Sequence, residues 1–529
     1  MKLVEYIVSV LKKEGITHVF GYQGGNITYL IDAISRTDGI EYVQTYHEQG
    51  AAFAANAYAQ ASEKFGVAIS SSGPGAINMI NGLANAYYDS IPCLFITGNI
   101  NENSMRESDL IRQNGFQETD IVGMVQGITK YAVTVHSVKE AQLQLDYAIN
   151  VMMTGRKGPV LLDIPHNIQR MEIDDIEPIP KGLNKEPSKI LLNDLIATLK
   201  QSEKLVVLLG NGCRTQRSKE LVLQFLEKIC APAVCSLCGI DVIPNSHPCF
   251  RGMIGGYGKA YSNKIINEAD TVLVLGSRMD ERQRTVTKDN FLANAKVIHV
   301  DIDENELGHV IKNGIEVKCS VEDFLLKILN VDFGEHQFSE WLRQTKAWMC
   351  EAEPLYGWMY GSELKNKLEY FIGGNLSDTN ITVDVGNHQM AAAQAVLLGE
   401  NSRYLNSAGL GSMGYALPAA IGAYYAEPEK EIICIAGDGG LMMNLQELQV
   451  IKRDKIPITI IVINNKGLGM IENYQKLAFD GRVYGSKWGY EAADFQKIAT
   501  TFGMRYIKFE SVAEIDKLDT EQLFIEIEV

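Results

Sequence analysis

The strongest constraint on this chain is a repeated alternation of short apolar stretches, ending in glycine or an acidic residue, with helical stretches. It runs through the whole sequence, for example in VAISSSGPG, TVLVLGSR and EIICIAG. Apolar, β-branched runs of this length are typical of strands buried on both faces, and the helical stretches supply their crossover connections. The sequence therefore predicts an α/β protein built from three doubly wound parallel-sheet domains.

Two segments separate the three blocks. The first, MEIDDIEPIPKGLNKEPSK, is charged, contains three prolines and is typical of a linker. The second, DFGEHQFSEWLRQTKAWMCEAEP, is typical of a helical connector. Because 529 residues exceed what one core supports, we predict domains at residues 1–175, 190–331 and 355–529.

Charge and cysteine usage exclude several classes of protein. The net charge of −16 argues against nucleic acid or an anionic membrane as the main partner. Nine cysteines are scattered, and Cys235 and Cys238 in CSLC have no matching second pair, so we expect no zinc site. Unpaired thiols and the lack of a signal-peptide pattern in MKLVEYIVSVLKKEG predict a cytoplasmic protein. No apolar run reaches membrane-spanning length, so we expect no membrane-spanning helix.

The third block carries the most informative motif. The predicted strand EIICIA delivers Asp438, between glycines, to the carboxyl edge of a sheet, and ITIIVI brings Asn464 and Asn465 to the same edge. The helix that follows Asp438 offers free N–H groups to a phosphate. A carboxylate, an amide oxygen and a backbone carbonyl suit Mg²⁺, which completes its shell with water and phosphate oxygens. A common surface turn explains Gly-Asp-Gly alone, but the whole combination predicts a metal-bound diphosphate.

This stretch resembles the thiamin diphosphate motif, in which Gly-Asp-Gly is followed by Asn-Asn. The segments GPGAINMINGLANAYYDSIP, NGFQETDIVG, GPVLLDIPHNIQ, VIHVDIDENELG, ITVDVGNHQMAAAQ and AGLGSMGYALPAAIGA are similar to those of acetolactate synthase catalytic subunits and their relatives. The resemblance implies pyrimidine-binding, central nucleotide-binding-like and diphosphate-binding domains. It also implies a homodimer at least, frequently a homotetramer, with the cofactor between two subunits. It does not say whether a regulatory subunit is needed.

The resemblance also assigns roles to residues. Glu48 in YHEQG matches the catalytic glutamate, which bonds to the cofactor's aminopyrimidine ring so that the ring can take the reacting proton. By itself, Glu48 would be a solvated acid at a helix start. Gln117 matches an active-site glutamine, although it could equally be a loop amide. The cofactor contacts implied are Glu48, Pro74, Asn78, Gly386, Asn387, His388, Gly411, Met413, Asp438, Gly439, Gly440, Asn465, Gly467 and Met470, of which Asp438, Asn465 and the Gly467 carbonyl match metal ligands.

The substrate side departs from the family pattern. The residues that match its substrate pocket are Gly25, His166, Gly256, Ile471 and Tyr474. His166 replaces a usual lysine, Gly256 with Tyr257 replaces a usual Met-His, and Tyr474 replaces a usual tryptophan. Pyruvate is the expected donor of a decarboxylation and carboligation. The acceptor is either a second 2-oxo acid, with these changes neutral, or an uncharged aldehyde or ketosugar. A simple 2-oxo acid decarboxylase is the remaining alternative.

A second cofactor is possible in the central block. Its GSRMDER and HVDIDENE resemble the FAD site of acetolactate synthases. Gly-plus-acid strand ends also occur in flavin-free relatives. The residues that match FAD contacts are Arg156, Gly210, Gly276, Arg278, Asp280 and Asp301.

Overall fold

The computed structural model describes residues 1–108, 110–173, 192–284, 290–334, 337–349, 361–374, 376–509 and 522–529. In this part of the chain the strands form three six-stranded parallel sheets, which confirms the predicted fold class. Most of the predicted linker lies outside the described residues. The predicted connector is described in part and contains the helix Ser339–Trp348.

The chain forms two compact units. One comprises Met1–Lys185, Asn380–Val385 and Leu405–Glu528, and the other Glu186–Thr379, Gly386–Tyr404 and Val529. The first unit thus holds the first sheet and most of the third, while the second unit holds the middle sheet. The predicted domain boundaries stay a prediction.

The first sheet has the strand order β2-β1-β3-β4-β6-β5. Its strands are β1 (His18–Gly21), β2 (Glu41–Gln44), β3 (Gly66–Ser70), β4 (Cys93–Asn99), β5 (Tyr131–Thr134) and β6 (Val160–Pro165). The associated helices are α1 (Leu3–Lys13), α2 (Thr28–Ser35), α3 (Glu48–Ser62), α4 (Pro74–Asn78), α5 (Ile80–Tyr88), α6 (Ile121–Val125), α7 (Val138–Met153) and α8 (His166–Gln169). The order reverses between β1 and β3, which is where such sheets bind ligands.

The second sheet has the order β12-β11-β10-β7-β8-β9, so its reversal lies between β7 and β10. Its strands are β7 (Leu205–Leu209), β8 (Ala233–Cys235), β9 (Phe250–Met253), β10 (Thr271–Leu275), β11 (Lys296–Asp301) and β12 (Ile315–Lys318). The helices described with it are α9 (Leu192–Gln201), α10 (Gln216–Ile229), α11 (Ala260–Asn267), α12 (Glu281–Arg284), α13 (Val321–Ile328) and α14 (Ser339–Trp348).

The third sheet has the order β14-β13-β15-β16-β18-β17, with its reversal between β13 and β15. Its strands are β13 (Thr379–Val383), β14 (Arg403–Asn406), β15 (Glu431–Gly437), β16 (Thr459–Asn464), β17 (Arg505–Phe509) and β18 (Leu523–Glu528). The remaining helices are α15 (Gly361–Ile372), α16 (Asn387–Ala395), α17 (Ala416–Ala426), α18 (Asp438–Met443), α19 (Leu448–Asp454), α20 (Gly469–Ala478) and α21 (Phe495–Phe502).

Small side chains let the first and third sheets share one core. The run GAAFAANAYA lies in α3 and is buried against α17. A Cβ placed on Gly422 of α17 would stand 1.9 Å from the carbonyl oxygen of Ala54, so only glycine permits this approach. The packing fixes α3, and with it Glu48 at its first turn. Among the described helices, none is both long and apolar enough to cross a bilayer.

Candidate active site

The edge of the third sheet places Asp438 in a buried position at the reversal point. Asp438 follows β15, begins α18 and is 2% exposed. Its Oδ2 accepts a hydrogen bond from the Gly467 N–H at 3.1 Å, and the Tyr490 side chain also bonds to the carboxylate. Burial raises the pKa of Asp438, and these donors partly offset the rise. The structure thus brings Asp438 and Gly467, two of the predicted metal ligands, into contact.

The two asparagines at the end of β16 have different surroundings. Asn464 is buried and donates through Nδ2 to Glu526 Oε1 at 2.6 Å, while its Oδ1 accepts from the Lys466 N–H. Asn465 is half-buried, and its backbone carbonyl accepts from Lys487 Nζ at 2.8 Å. Both polar atoms of the Asn464 side chain therefore bond within the chain, and Asn465 stays the predicted metal ligand of the pair.

A second buried carboxylate, that of Asp384, organises the same edge. It directly follows β13 and accepts from the N–H groups of Gly414, at 2.9 and 3.0 Å, and of Val385, at 2.9 Å. Burial raises its pKa to about 7, and the three backbone donors of Val385, Gly414 and Tyr415 only partly offset the rise. A Cβ on Gly440 would stand 2.3 Å from Asp384 Oδ2. Asp384 therefore connects the first turn of α18 with the loop before α17.

That loop contains the predicted cofactor residues Gly411 and Met413. Asn444 holds the end of the loop by donating from Nδ2 to the Gly414 carbonyl at 2.7 Å. Met413 is half-buried, and its Cε lies 3.5 Å from where a Cβ on Gly439 would stand. The structure thus brings Met413, Gly439 and Gly440 together, as expected of residues around one cofactor.

The corresponding edge of the first sheet holds the predicted catalytic glutamate. Glu48 begins α3, and its Oε2 accepts from Asn78 Nδ2 at 3.0 Å. Its Oε1 lies 3.1 Å from where a Cβ on Gly75 would stand, next to Pro74. Gln117 has a left-handed φ of 65°, uncommon outside glycine, and its backbone carbonyl packs against Gly73. Glu48, Pro74, Asn78 and Gln117 therefore form one neighbourhood.

A residue that the sequence did not identify, Glu447, contacts the segment just before α3, the helix that begins with Glu48. The side chain of Glu447 is fully buried, and both oxygens accept from the Tyr46 N–H at 3.1 Å. A Cβ on Gly50 would stand 2.5 Å from Glu447 Oε1. Burial raises the pKa of Glu447 to about 7. No local signal could have found Glu447, whereas Asp384 ends an apolar strand just as Asp438 does.

The predicted diphosphate contacts Gly386, Asn387 and His388 lie at the start of α16, in the second unit. Asn387 is 7% exposed, and its Nδ2 has no hydrogen-bond partner among the described residues. A buried amide donor without a partner is costly unless a ligand accepts from it. Asn387 therefore fits a diphosphate.

The predicted substrate residues are spread over several elements. Gly25 lies in the turn before α2. His166 begins α8, and the centroid of its ring lies 4.9 Å from that of Tyr29 in α2. Met470 and Ile471 lie in the first turn of α20, and Tyr474 lies one turn later. Gly256 belongs to the second unit and follows β9. The first unit thus places Gly25 just before α2 and His166 on α8, which α2 contacts through Tyr29.

The imidazole of His166 is held in its neutral form by its surroundings. Its Nδ1 lies 3.2 Å from Asn101 Oδ1, and burial, followed by the charge of Arg170, lowers its pKa. At neutral pH this side chain is therefore a neutral hydrogen-bonding group, unlike the lysine it replaces.

The residues expected for FAD divide between the units. Gly210, Gly276 and Asp301 stand at the carboxyl ends of the neighbouring strands β7, β10 and β11, at the reversal of the second sheet. Arg278 and Asp280 lie in the loop after β10, with Nη2 and Oδ2 3.9 Å apart. Arg156 belongs to the first unit, where its Nε donates to Ser90 Oγ at 2.9 Å.

The residues at the third sheet fit a cation-bound diphosphate. The groups that lower the pKa of Asp438 are neutral N–H and O–H donors. Because a buried carboxylate is stabilised by a positive charge, a bound cation would suit this position. One carboxylate, one amide and one carbonyl leave room for water and phosphate oxygens around Mg²⁺. In the described part of the chain no cluster of three or more His, Cys, Asp or Glu residues offers another metal site.

Comparisons with known proteins agree with this geometry. Residues 1–124, 192–328 and 384–523 match the N-terminal TPP binding domain, the central domain and the C-terminal TPP binding domain of the thiamine pyrophosphate (thiamin diphosphate) enzymes. The acetolactate synthase large subunit of Lactococcus lactis subsp. lactis (strain IL1403) is 33% identical, with 99% of this chain and 92% of the relative covered. The isozyme 2 large subunit of Escherichia coli (strain K12) is 34% identical, with 95% and 90% covered. The chain therefore belongs to the thiamine pyrophosphate enzyme family as an enzyme of the acetolactate synthase type, which confirms the resemblance seen in its motifs.

Proposed function

We propose that this enzyme decarboxylates pyruvate and joins the remaining two-carbon unit to a carbonyl acceptor, with Mg²⁺ and thiamin diphosphate as cofactors. The observation that carries the proposal is the pair of ligand-binding edges in one unit, Asp438 with Gly467 at one and Glu48 with Asn78 at the other. The relatives are named acetolactate synthases, whose reaction is of this kind.

The cofactor, when bound, supplies the carbon nucleophile and the electron sink for loss of carbon dioxide. The chain supplies the rest. Asp438, Asn465 and the Gly467 carbonyl would hold the cation, and the first turn of α18, in the same unit, would bind the diphosphate. Asn387, at the start of α16, stays a predicted diphosphate contact. Glu48 holds or gives up a proton at its carboxylate, and Asn78 keeps that carboxylate in place. Gln117 orients the reacting groups, and the apolar Met413 positions the cofactor.

The working unit in this proposal is a homodimer, or a homotetramer, in the cytoplasm. The cofactor then lies between the first domain of one subunit and the third domain of another. FAD is proposed at the Gly210, Gly276 and Asp301 strand ends of the second unit, with Arg278 and Asp280. Arg156, in the first unit, stays a predicted FAD contact. Because the relatives are named large subunits, a second, regulatory subunit is included as a partner in this proposal.

For the acceptor, a second 2-oxo acid is the first candidate, as in acetolactate formation. His166 favours a second candidate, an uncharged aldehyde or ketosugar, because a neutral imidazole offers hydrogen bonds without attracting a carboxylate. Tyr474 in place of a larger tryptophan leaves more room on the same side.

The test is a product screen by mass spectrometry with pyruvate as donor and either pyruvate, aldehydes or ketosugars as acceptor. A five-carbon hydroxy-oxo acid from pyruvate alone supports the first candidate, and a two-carbon branch on an added aldehyde or sugar supports the second. Acetaldehyde as the only product under every condition would overturn carboligation. The screen is run with and without FAD, so that a flavin requirement is detected separately.

A further inference from the structure

The segment after α20 folds back over the proposed metal edge. The Ser486 carbonyl accepts from the Leu468 N–H at 2.8 Å, and the Tyr484 carbonyl accepts from Gln475 Nε2 at 3.0 Å. A Cβ on Gly467 would stand 2.6 Å from the Ser486 carbonyl oxygen, so the two backbones are in close contact. We call residues 483–490 the clasp segment.

Two side chains of the clasp segment reach the proposed metal ligands. The Tyr490 hydroxyl bonds to the Asp438 carboxylate and lies 3.2 Å from where a Cβ on Gly439 would stand. Lys487 Nζ donates to the Asn465 carbonyl at 2.8 Å, and its Cδ packs against Gly467. The clasp segment therefore touches each of the three residues proposed to hold the cation.

From this geometry we propose that Tyr490 and Lys487 are positioning residues of the metal site. Tyr490 fixes one side of the Asp438 carboxylate so that the other faces the cation, and Lys487 fixes the backbone that carries the Asn465 amide and the Gly467 carbonyl. Groups that orient metal ligands in this way change metal affinity by about 10- to 100-fold when they are removed. The inference rests on the proposed function, since it needs Mg²⁺ at this edge.

The test uses Tyr490→Phe, which removes only the hydroxyl, and Tyr484→Phe as a matched control on an exposed tyrosine of the same segment. Mg²⁺ is titrated into each protein with thiamin diphosphate in excess, and binding is followed by calorimetry and by the metal-induced rise in melting temperature. We expect the Mg²⁺ dissociation constant to rise about 10- to 100-fold in Tyr490→Phe and to stay unchanged in Tyr484→Phe. The melting temperature without metal should stay close to that of the wild type.

Comparing the Mg²⁺ affinity with the turnover number distinguishes a positioning role of Tyr490 from a general effect on the stability of the fold. At saturating Mg²⁺, Tyr490→Phe should recover most of the wild-type turnover number, whereas a damaged fold would not. Lys487→Met provides a second variant, with the same expected direction, if Tyr490→Phe does not fold. Unchanged or tighter Mg²⁺ binding in both variants would overturn the inference. Failure of the wild type to bind Mg²⁺ with thiamin diphosphate would instead overturn the proposed function.

Discussion

The edge of the third sheet proposed to bind the diphosphate and the residues proposed to face the acceptor are built in opposite ways. At the edge, Asp384 and Asp438 are almost fully buried, and backbone N–H groups bond to both carboxylates. On the acceptor side, Ile471 is 51% and Tyr474 62% exposed in the chain. A change at the buried edge leaves a polar group without its partner, while a change at an exposed position costs little. From this difference we expect substitutions at Ile471 or Tyr474 to leave the fold intact and substitutions at Asp384 or Asp438 to destabilise it.

The largest effect is expected at Glu48. Replacing it with glutamine keeps the size of the side chain and the contact with Asn78 but removes the group that exchanges a proton. We expect turnover to fall by about 10²- to 10⁴-fold, the usual contribution of a general acid or base. The measurement is steady-state carboligation, with thiamin diphosphate binding followed in parallel. Bound cofactor with wild-type turnover would show that Glu48 does not have this role.

The next effect tests the buried edge itself. In Gly440→Ala the new methyl group would collide with the Asp384 carboxylate, so we expect a loss of about 1–3 kcal/mol in stability from overpacking. Cofactor affinity should fall as well, because the first turn of α18 must move. Gly127→Ala is the control, since a Cβ there meets no atom within 4 Å. If the melting temperatures and cofactor affinities of the two variants are equal, the expected collision between residue 440 and Asp384 does not occur.

A smaller, pH-dependent effect is expected at Glu447. Because its pKa in the folded chain is about 7, the folded state keeps a proton that the unfolded state releases above about pH 4.5. The protonated Glu447 side chain therefore contributes to the free energy of unfolding at low pH, and this contribution is lost as the pH rises towards 7. Glutamine does not titrate, so Glu447→Gln should gain stability relative to wild type between pH 5 and pH 8. The checks are melting temperatures across this range, with Glu268→Gln at an exposed site as control.

The smallest effect is expected on the acceptor side. His166→Lys introduces a positive charge, which should favour a 2-oxo acid acceptor over an uncharged aldehyde by roughly fivefold, as expected from about 1 kcal/mol of attraction. The ratio of kcat/KM values for the two acceptors is the measurement, and His136→Lys on the surface is the control. An unchanged ratio would place the choice of acceptor elsewhere, for example at Tyr474.

Much of this molecule could be predicted from local patterns. Apolar strands that end in Gly-Asp-Gly or Asn-Asn predicted both the parallel sheets and the edge at which Asp438 and Gly467 meet. The structure explains the small residues of α3 by the close approach of α17. The sequence predicted that Asn464 and Asn465 lie together at the edge of the sheet. It did not predict that Asn464 donates a hydrogen bond to Glu526, because that contact depends on β18 lying beside β16.

The sequence by itself determined the fold class, the sheet edges and the motif residues, because strand periodicity, glycine turns and strand-end acids are local properties of a few consecutive residues. Only the tertiary structure decided that Glu447 bonds to the segment before α3 and that Tyr490 bonds to Asp438. Tyr46 and Glu447, for example, are 401 residues apart, and their hydrogen bond forms only when α3 packs against the third sheet. Burial and hydrogen bonding depend on neighbours in space, which no local pattern specifies.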